Sequence, residues 1–414
     1  MVQKNSVIAS LDIGTHQTKV TIAEVNNAGA LSVIGVGIAP SRGLRKGVLT
    51  NIDHTVHSIE QALKQAESMA GVEIHSVYGL ITGAHIQGMD SNGIVAVKSR
   101  EVRAEDIERV IDAAKAVAIP MDREVLHVLP QQFIVDGQDG IKEPLGINGV
   151  RLEARVYIVT GLVASAENIV KCANRCGLEV SDIVFSGIAS GRAVTTAEEQ
   201  DLGVCVIDIG AGTTDVTVFK EGAVIHASVI PVGGAHITMD IASGLMTPTS
   251  AAEEIKCQYG EAISMTRTER ASNAFDQSIE VPSTGNREPR LISMQILSDI
   301  IEPRIAEIFA IVQSKLVSAG VHDCLTSGIV ITGGVANQKY ICELAESCFA
   351  MPVRIGVPLE VSGLSDLVSD PSFGASIGLL SYGNLTESQA RSSVKVGRFN
   401  KLLKKVGNWL GGNF

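Results

Sequence analysis

Val204-Cys205-Val206-Ile207-Asp208-Ile209-Gly210-Ala211-Gly212-Thr213-Thr214-Asp215-Val216-Thr217-Val218 reads as strand, tight turn, strand. The first run is apolar and β-branched, and the second alternates Val216 and Val218 with Thr217. Gly210 and Gly212 fall between them, where positive φ is expected. The glycines, Thr213 and Thr214 would expose N–H groups and hydroxyls in a concave loop, and Asp208 enters that loop directly from the strand. Such a loop can cradle a phosphate chain while the carboxylate faces a hydrated magnesium ion. Taken alone, it is as readily a plain tight turn.

Leu11-Asp12-Ile13-Gly14-Thr15-His16-Gln17-Thr18-Lys19-Val20-Thr21-Ile22 repeats the plan near the N-terminus. A phosphate hairpin present twice implies two similar domains facing each other across a nucleotide cleft. A third piece, Gly328-Ile329-Val330-Ile331-Thr332-Gly333-Gly334-Val335-Ala336, is a buried strand running into a Gly-Gly turn, where backbone can approach a base or ribose. These three elements, in this order, resemble the actin-like ATPase superfamily. The resemblance implies an α/β, actin-like two-domain ATPase fold with ATP and Mg2+ as ligands.

Other phosphate-binding plans fit worse. There is no G-x-x-x-x-G-K-[ST], and neither Gly35-Val36-Gly37 nor Gly210-Ala211-Gly212 carries the third glycine of a dinucleotide fingerprint. The chain of 414 residues, 45% apolar, suffices for two cores. Seven cysteines without a C-x-x-C pair read as reduced cytosolic thiols, and no run reaches bilayer length, so a cytoplasmic body is expected. The formal charge of −11 divides into about −17 for residues 1–390 and +6 for the tail, where six basic residues meet no acid. An acidic body argues against nucleic acid as its ligand.

In chain order, residues 7–25 read as the first hairpin, Leu31 to Ile38 as its third strand, and Asp53 to Ala70 as a helix with a 3.6-residue apolar period. From Gly83 to Thr160 the pattern becomes a separate α+β unit. Its strands are expected at Ile94–Val97, Val125–Val128, Phe133–Val135 and Val150–Val159, and its helix at Ala104–Val117. Helices are expected at Leu162–Cys176, Ile183–Thr196, Ile296–Leu316 and Phe373–Tyr382, with a polar linker from Asn384 to Ser393. The domains are then drawn as 1–83, 162–198 and 357–383 for the first, 84–161 for the inserted α+β subdomain, and 199–225 with 301–356 for the second. Residues 226–300 form an inserted subdomain of the second, 384–395 a linker, and 396–414 a C-terminal amphipathic helix.

Leu126-His127-Val128-Leu129-Pro130-Gln131-Gln132-Phe133, Gly140 to Gly146 and Ile301-Glu302-Pro303-Arg304, with the final helix, extend the likeness: over its whole length the chain is similar to the FtsA family of bacterial division proteins. That resemblance implies a polymerising adaptor on the inner face of the membrane, binding the C-terminal peptide of tubulin-like FtsZ and further division proteins through the inserted α+β subdomain. A pilus-assembly platform or a phosphotransferase of the same superfamily stays as the alternative. The superfamily places Gly14, Thr15, His16, Lys19, Gly210, Ala211, Gly212, Thr213 and Thr214 around the phosphates, and Asp12 and Asp208 on magnesium through waters. It places Gly233, Gly234, Glu253, Lys256, Gly333 and Gly334 around sugar and base. Glu253 and Lys256, three apart on a helix, also fit a solvated ion pair, and Gly233-Gly234 a structural turn.

In such ATPases a Gln or Glu from the helix before the second hairpin orients the attacking water. Here Ser186-Gly187-Ile188-Ala189-Ser190-Gly191-Arg192-Ala193-Val194 supplies none, so slow turnover is expected. Arg287, Arg290 and Arg304 are expected to meet the FtsZ peptide, or else are scattered surface arginines. In the tail, Val396, Phe399, Leu402, Leu403, Val406, Trp409 and Leu410 fall within about 140° of a helical wheel, opposite Arg398, Lys401, Lys404 and Lys405. With Trp and Phe at its end and no acid, this stripe suits anionic lipid better than a docking groove.

Overall fold

The computed structural model describes residues 6–26, 29–263, 278–285 and 288–394, with the backbone alone for 389–394. β1 (Ser6–Ile13) and β2 (Gln17–Val25) pair antiparallel from Ser6↔Val25 to Ile13↔Thr18. β3 (Leu31–Pro40) continues the antiparallel ladder, while β6 (Ser76–Ile81) and β11 (Glu179–Phe185) add in parallel on the other side of β1. The short β19 (Ser362–Gly363) lines the β3 edge.

The second sheet repeats this order. β12 (Val204–Ile209), β13 (Thr214–Lys220) and β14 (Ala223–Ile230) are antiparallel neighbours, and β17 (Ile329–Thr332) and β18 (Val353–Ile355) add in parallel beside β12. Each lobe is therefore one plan: hairpin, third strand, then two parallel strands, reached through helices that cover the sheet faces. Both central strands are buried on two faces, which is why they are nearly continuous apolar runs.

α1 (Ile52–Ala70) shows how a face is covered. Asn51 caps it by accepting the His54 N–H at 3.0 Å, and Gly71 ends it in the left-handed region at φ 68. Val56, Ile59, Ala62, Leu63 and Ala66 turn inward, and the helix lies so close to β3 that a Cβ on Gly37 would sit 1.8 Å from the Ala62 carbonyl oxygen. α4 (Ser186–Val194) and the helix Gly374–Val394 fill the layer between the two sheets: a Cβ on Gly191 would meet the Phe219 ring at 2.5 Å, and one on Gly378 the Ala189 carbonyl at 1.8 Å. Apolar residues accordingly gather in one core around Leu11, Ile22, Ile59 and Phe185 and another around Ile207, Val216, Ile305 and Phe309.

The inserted subdomain is the sheet β7-β10-β8-β9, made of β7 (Gln87–Ala96), β8 (Arg123–Val135), β9 (Gln138–Ile141) and β10 (Arg151–Leu162), with α2 (Ala104–Lys115) on one face. Its own core holds Val110, Phe133, Leu152 and Val156. It also touches the second lobe, where the Tyr157 hydroxyl accepts the Ala227 N–H at 2.9 Å.

Four expectations change. The two strands expected at 125–128 and 133–135 are the single strand β8, because Pro130 falls at a register shift opposite Val156, where a missing N–H is tolerated. Ile183–Phe185 end β11 beside Gly79–Ile81 and the helix begins at Ser186, since a short apolar run suits either period. The cut drawn at 226 falls inside β14, which stays in its sheet to Ile230. The linker expected from 384 is helical through Val394: no Gly or Pro interrupts it, and the Thr386 hydroxyl bonds back to the Tyr382 carbonyl at 2.9 Å.

The close approach of α1 to β3 makes a direct prediction. Gly37→Val should destabilise the first lobe by about 1–3 kcal/mol or more through overpacking, read as a lower urea midpoint. An unchanged midpoint would mean that the helix can move away at no cost.

Candidate functional site

The two hairpins turn through the same four-residue geometry. The Gly14 N–H donates to the Gln17 carbonyl at 3.1 Å, and the Gly210 N–H donates to the Thr213 carbonyl at 2.9 Å. The tips face each other, and a Cβ on Gly212 would lie 2.3 Å from Thr15 Oγ1. This corrects the reason given for the glycines: neither Gly210 nor Gly212 has positive φ, and what Gly212 supplies is room for the opposing hairpin. Gly333, by contrast, is left-handed at φ 87, and its Cβ would stand 2.4 Å from Asp208 Oδ1.

Between the lobes lies a cavity of about 510 Å3, within the usual range for small-molecule sites. It is lined by Asp12, Gly14, Thr15, His16, Lys19, Asp208, Gly210, Ala211, Gly212, Thr213, Gly234, Glu253, Lys256, Gly333 and Gly334. Two expected residues stand behind the wall. The Thr214 hydroxyl donates to the Val232 carbonyl at 2.8 Å, and Gly233 backs the second turn, where a Cβ would lie 2.4 Å from the Gly210 carbonyl oxygen.

The floor is dominated by carboxyl groups. Burial raises the pKa of Asp12 against the opposing pull of Lys19 and Ser376. Burial, and then the charge of Asp12, push Asp208 up to about 6. Asp215, which faces Asp208 in the β12–β13 register, is pushed up to about 8 by burial and by Asp208. The Thr82 hydroxyl donates to Asp215 Oδ1 at 2.6 Å and so ties the end of β6 to the second lobe. Burial lowers the pKa of Lys19, the nearby ammonium, while Asp12, Asp370 and Asp208 work against that shift. Its Nζ donates to the carbonyl and hydroxyl of Ser372, the latter at 2.9 Å, and lies 4.3 Å from the Phe373 ring centroid.

Two half-buried carboxyls, Asp12 and Asp208, and the buried Asp215 stand beside one ammonium, a charge balance that suits a divalent cation. Among the described residues no trio of His, Cys, Asp or Glu can hold a metal alone, so such an ion would need water or phosphate oxygens as well. On the other side of the cleft, Lys256 Nζ meets Glu253 at 2.6 Å and the Thr238 hydroxyl at 3.0 Å. Burial works against the Glu253 charge, but Lys256 and Thr238 outweigh it and hold this carboxyl below its usual range. The pair is thus fixed in the wall rather than solvated.

The cavity also takes Thr82, Ser186, Asp215, Asn337, Gln338, Asp370, Ser372 and Phe373, which the motif reading missed. Asp370 had a local signal: it precedes Pro371 and caps a short helix by accepting the Ser372 N–H at 2.8 Å. Thr82 and Ser186 end one element and begin another, and only the tertiary fold brings them to the floor.

Two of the expected partner arginines, Arg290 and Arg304, bond within the chain. Arg287 lies outside the described residues. Arg290 donates to the Leu245 carbonyl, and Arg304 binds Asp240 through Nε and Nη2 at 2.5 and 3.1 Å and also pairs with Glu307. This subdomain also exposes large apolar side chains: Met239, Met246, Leu291 and Ile296, with Leu291 at 73%. The tail residues 396–410, with Phe399, Leu402, Leu403, Val406, Trp409, Leu410 and the four cations, lie outside the described residues. Among the described residues no helix is long and apolar enough to cross a membrane.

A family model described as Cell division protein FtsA matches residues 205–378, and one described as SHS2 domain inserted in FTSA matches residues 83–160. The curated Cell division protein FtsA of Pseudomonas aeruginosa is 47% identical over 420 residues, covering 100% of this chain and 99% of its own. That of Neisseria meningitidis is 44% identical over 420 residues, covering 100% of both. The chain belongs to the FtsA family of cell division proteins.

The α+β unit is therefore the FtsA family's inserted SHS2 domain. The actin-like fold is shared with solved structures at low identity. A type IV pilus PilM-PilN biogenesis complex matches with TM-score 0.64 at 16% identity, covering 92% of this chain and 99% of its own. MreB5 of Spiroplasma citri, solved with ADP, matches with TM-score 0.56 at 14% identity, covering 94% and 99%.

The charge at the floor predicts how stability varies with pH in this FtsA family member. The Asp215 pKa is raised on folding, so its contribution is full below the unfolded value near 4 and is lost as pH rises to about 8. In EDTA, Asp215→Asn should therefore gain on the parent in urea midpoint from pH 5 to 8, the gap levelling off above that. A gap independent of pH would show that Asp215 is ionised throughout.

Proposed function

We propose that this FtsA family member is an ATP-binding, polymerising adaptor that tethers tubulin-like FtsZ to the cytoplasmic face of the bacterial inner membrane at the division site. The observation that carries the reading is the facing pair of like-bonded turns above half-buried Asp12 and Asp208. MreB5 of Spiroplasma citri, which shares the fold, has been solved with ADP and with AMPPNP, and this supports a nucleotide in the same cleft.

Backbone groups of Gly14, Thr15, Gly210, Ala211, Gly212 and Thr213 would hold the phosphates, with His16 beside them and Lys19 as a point charge. Asp12 and Asp208 would orient Mg2+ through waters, and the ion would supply the positive charge that the floor lacks. Glu253, Lys256, Gly333 and Gly334 would frame adenosine, with Gly234 behind them. The Ser186–Val194 helix brings no Gln or Glu to orient water, so bound ATP would act mainly as an assembly switch with slow hydrolysis.

The 226–300 subdomain would take the FtsZ C-terminal peptide. The apolar surface of Met239, Met246, Leu291 and Ile296 favours the apolar half of such a peptide, and the Arg304 cluster would contribute at its rim. The SHS2 domain would recruit other division proteins. The 396–410 tail would bind anionic lipid: partial burial of its apolar stripe gives about 1 kcal/mol per side chain and each nearby cation about 1 more, against an ordering cost near 1 kcal/mol per residue. One tail binds marginally, so stable attachment needs many tails on one polymer.

Two measurements test this. Asp208→Ala should weaken Mg-ATP binding at least about tenfold, the scale of a lost charge-assisted site; an affinity within about twofold of the parent would displace the site. On anionic vesicles with ATP, the full chain should form membrane-bound filaments that recruit FtsZ, and Trp409→Glu should release them. Equal vesicle binding by parent and by an assembly-defective variant would sink the avidity argument while leaving the anchor standing.

A further inference from the structure

β4 (Leu44–Arg45) and β5 (Val48–Leu49) form a minimal hairpin, Arg45 opposite Val48, with Lys46 and Gly47 at its tip. Both tip residues are left-handed, at φ 51 and 76, the type I′ geometry of two-residue hairpins. That conformation is unfavourable for lysine, and the hairpin holds it beside Gly212. The Gly47 N–H donates to Thr15 Oγ1 at 3.2 Å, and a Cβ on Gly47 would lie 3.2 Å from the Cγ2 atoms of both Thr213 and Thr82. A Cβ on Gly212 would lie 3.0 Å from the Lys46 Cα. One turn thus touches the first phosphate hairpin, the second phosphate hairpin and the end of β6.

The stem of the same hairpin reaches the root of the SHS2 domain. Leu44, Val48 and Leu49 line a cavity of about 40 Å3 together with Thr82 and His85. A Cβ on Gly83 would lie 3.5 Å from Val48 Cγ2 and 3.1 Å from the His85 ring. His85 in turn joins the strands leaving and returning from the insertion: its Nδ1 accepts the Leu162 N–H at 3.4 Å, and its carbonyl accepts from Arg123 at 2.6 Å.

We propose that the Leu44–Leu49 hairpin is a positioning element that couples the gap between the two phosphate hairpins to the seating of the SHS2 domain. The argument is steric. Close-packed groups do not compress, so a ligand that changes the Thr15–Gly212 gap must displace the wedged tip. The stem then moves against Gly83 and His85, where the insertion is rooted. The two sites are linked by a difference in free energy between two seatings, and the link runs equally in reverse.

The proposal rests on the nucleotide reading, and its test separates the two. Hydrogen exchange of the full chain is followed at amides 84–88 and 160–163 with and without Mg-ATP, alongside ATP affinity. In the parent, ATP should slow exchange there by about threefold or more. Val48→Ala, at a half-exposed position outside the nucleotide cavity, should keep ATP affinity within about twofold yet lose most of this response, and Val48→Ile should restore it. Undiminished protection in Val48→Ala, or a parent that binds ATP without any response at these amides, overturns the coupling. A parent that fails to bind ATP removes the nucleotide reading and the coupling with it.

Discussion

Three carboxyl groups and one ammonium share the floor of the cleft, and much of the architecture follows from holding that imbalance together. Asp12 and Asp208 stand at matching places in the two lobes, so their repulsion is a force between domains. Hydroxyls brought from elsewhere hold the carboxyls of the floor: Ser376 on Asp12 at 3.2 Å, and Thr82 on Asp215, across the ladder from Asp208, at 2.6 Å. These contacts cross between segments far apart in the chain, and removing a buried charge's partner is costlier than its pairwise energy suggests. A cleft held in this way is prepared for cationic charge rather than merely open to it.

The lobes are alike because each solves one problem. A hairpin presents a turn at the carboxyl end of a central strand, and parallel strands beside it pair that strand's other edge. Those parallel strands require crossovers, whose helices, α1 among them, cover the sheet faces, while α4 and the helix Gly374–Val394 fill the space between the sheets. Glycines at 187, 191 and 378 record how tightly that space is packed, since at each a Cβ would meet another atom within 2.7 Å.

The strands, both turns and the cavity's two halves were legible because their signals are local: an apolar β-branched run, a glycine pair, an acid at a fixed offset. Pro130 shows the limit of such reading, since the same proline breaks a lone strand but sits without penalty at a bulge once a partner is present. Gly212 shows another, because its lack of a side chain serves the opposite lobe and not its own φ. Asp215 was in plain view as the end of the quoted turn, yet its environment depends on Asp208 across the ladder and on Thr82, over a hundred residues away. For Arg304, expected at a peptide or as a scattered surface arginine, no sequence signal tells that Asp240 would meet it.

The second sheet ends at β14, and an exposed edge strand is a template on which other chains can pair. Tyr157 covers the middle of that edge: its hydroxyl accepts the Ala227 N–H and donates to the Ala227 carbonyl at 3.4 Å, and burial raises its pKa to about 12, keeping the phenol protonated. The insertion that carries Tyr157 precedes β14 in the chain, and domains form from the N-terminal side during synthesis. The residue that covers the edge is therefore synthesised before the edge itself, so β14 emerges into a chain that already holds its cap.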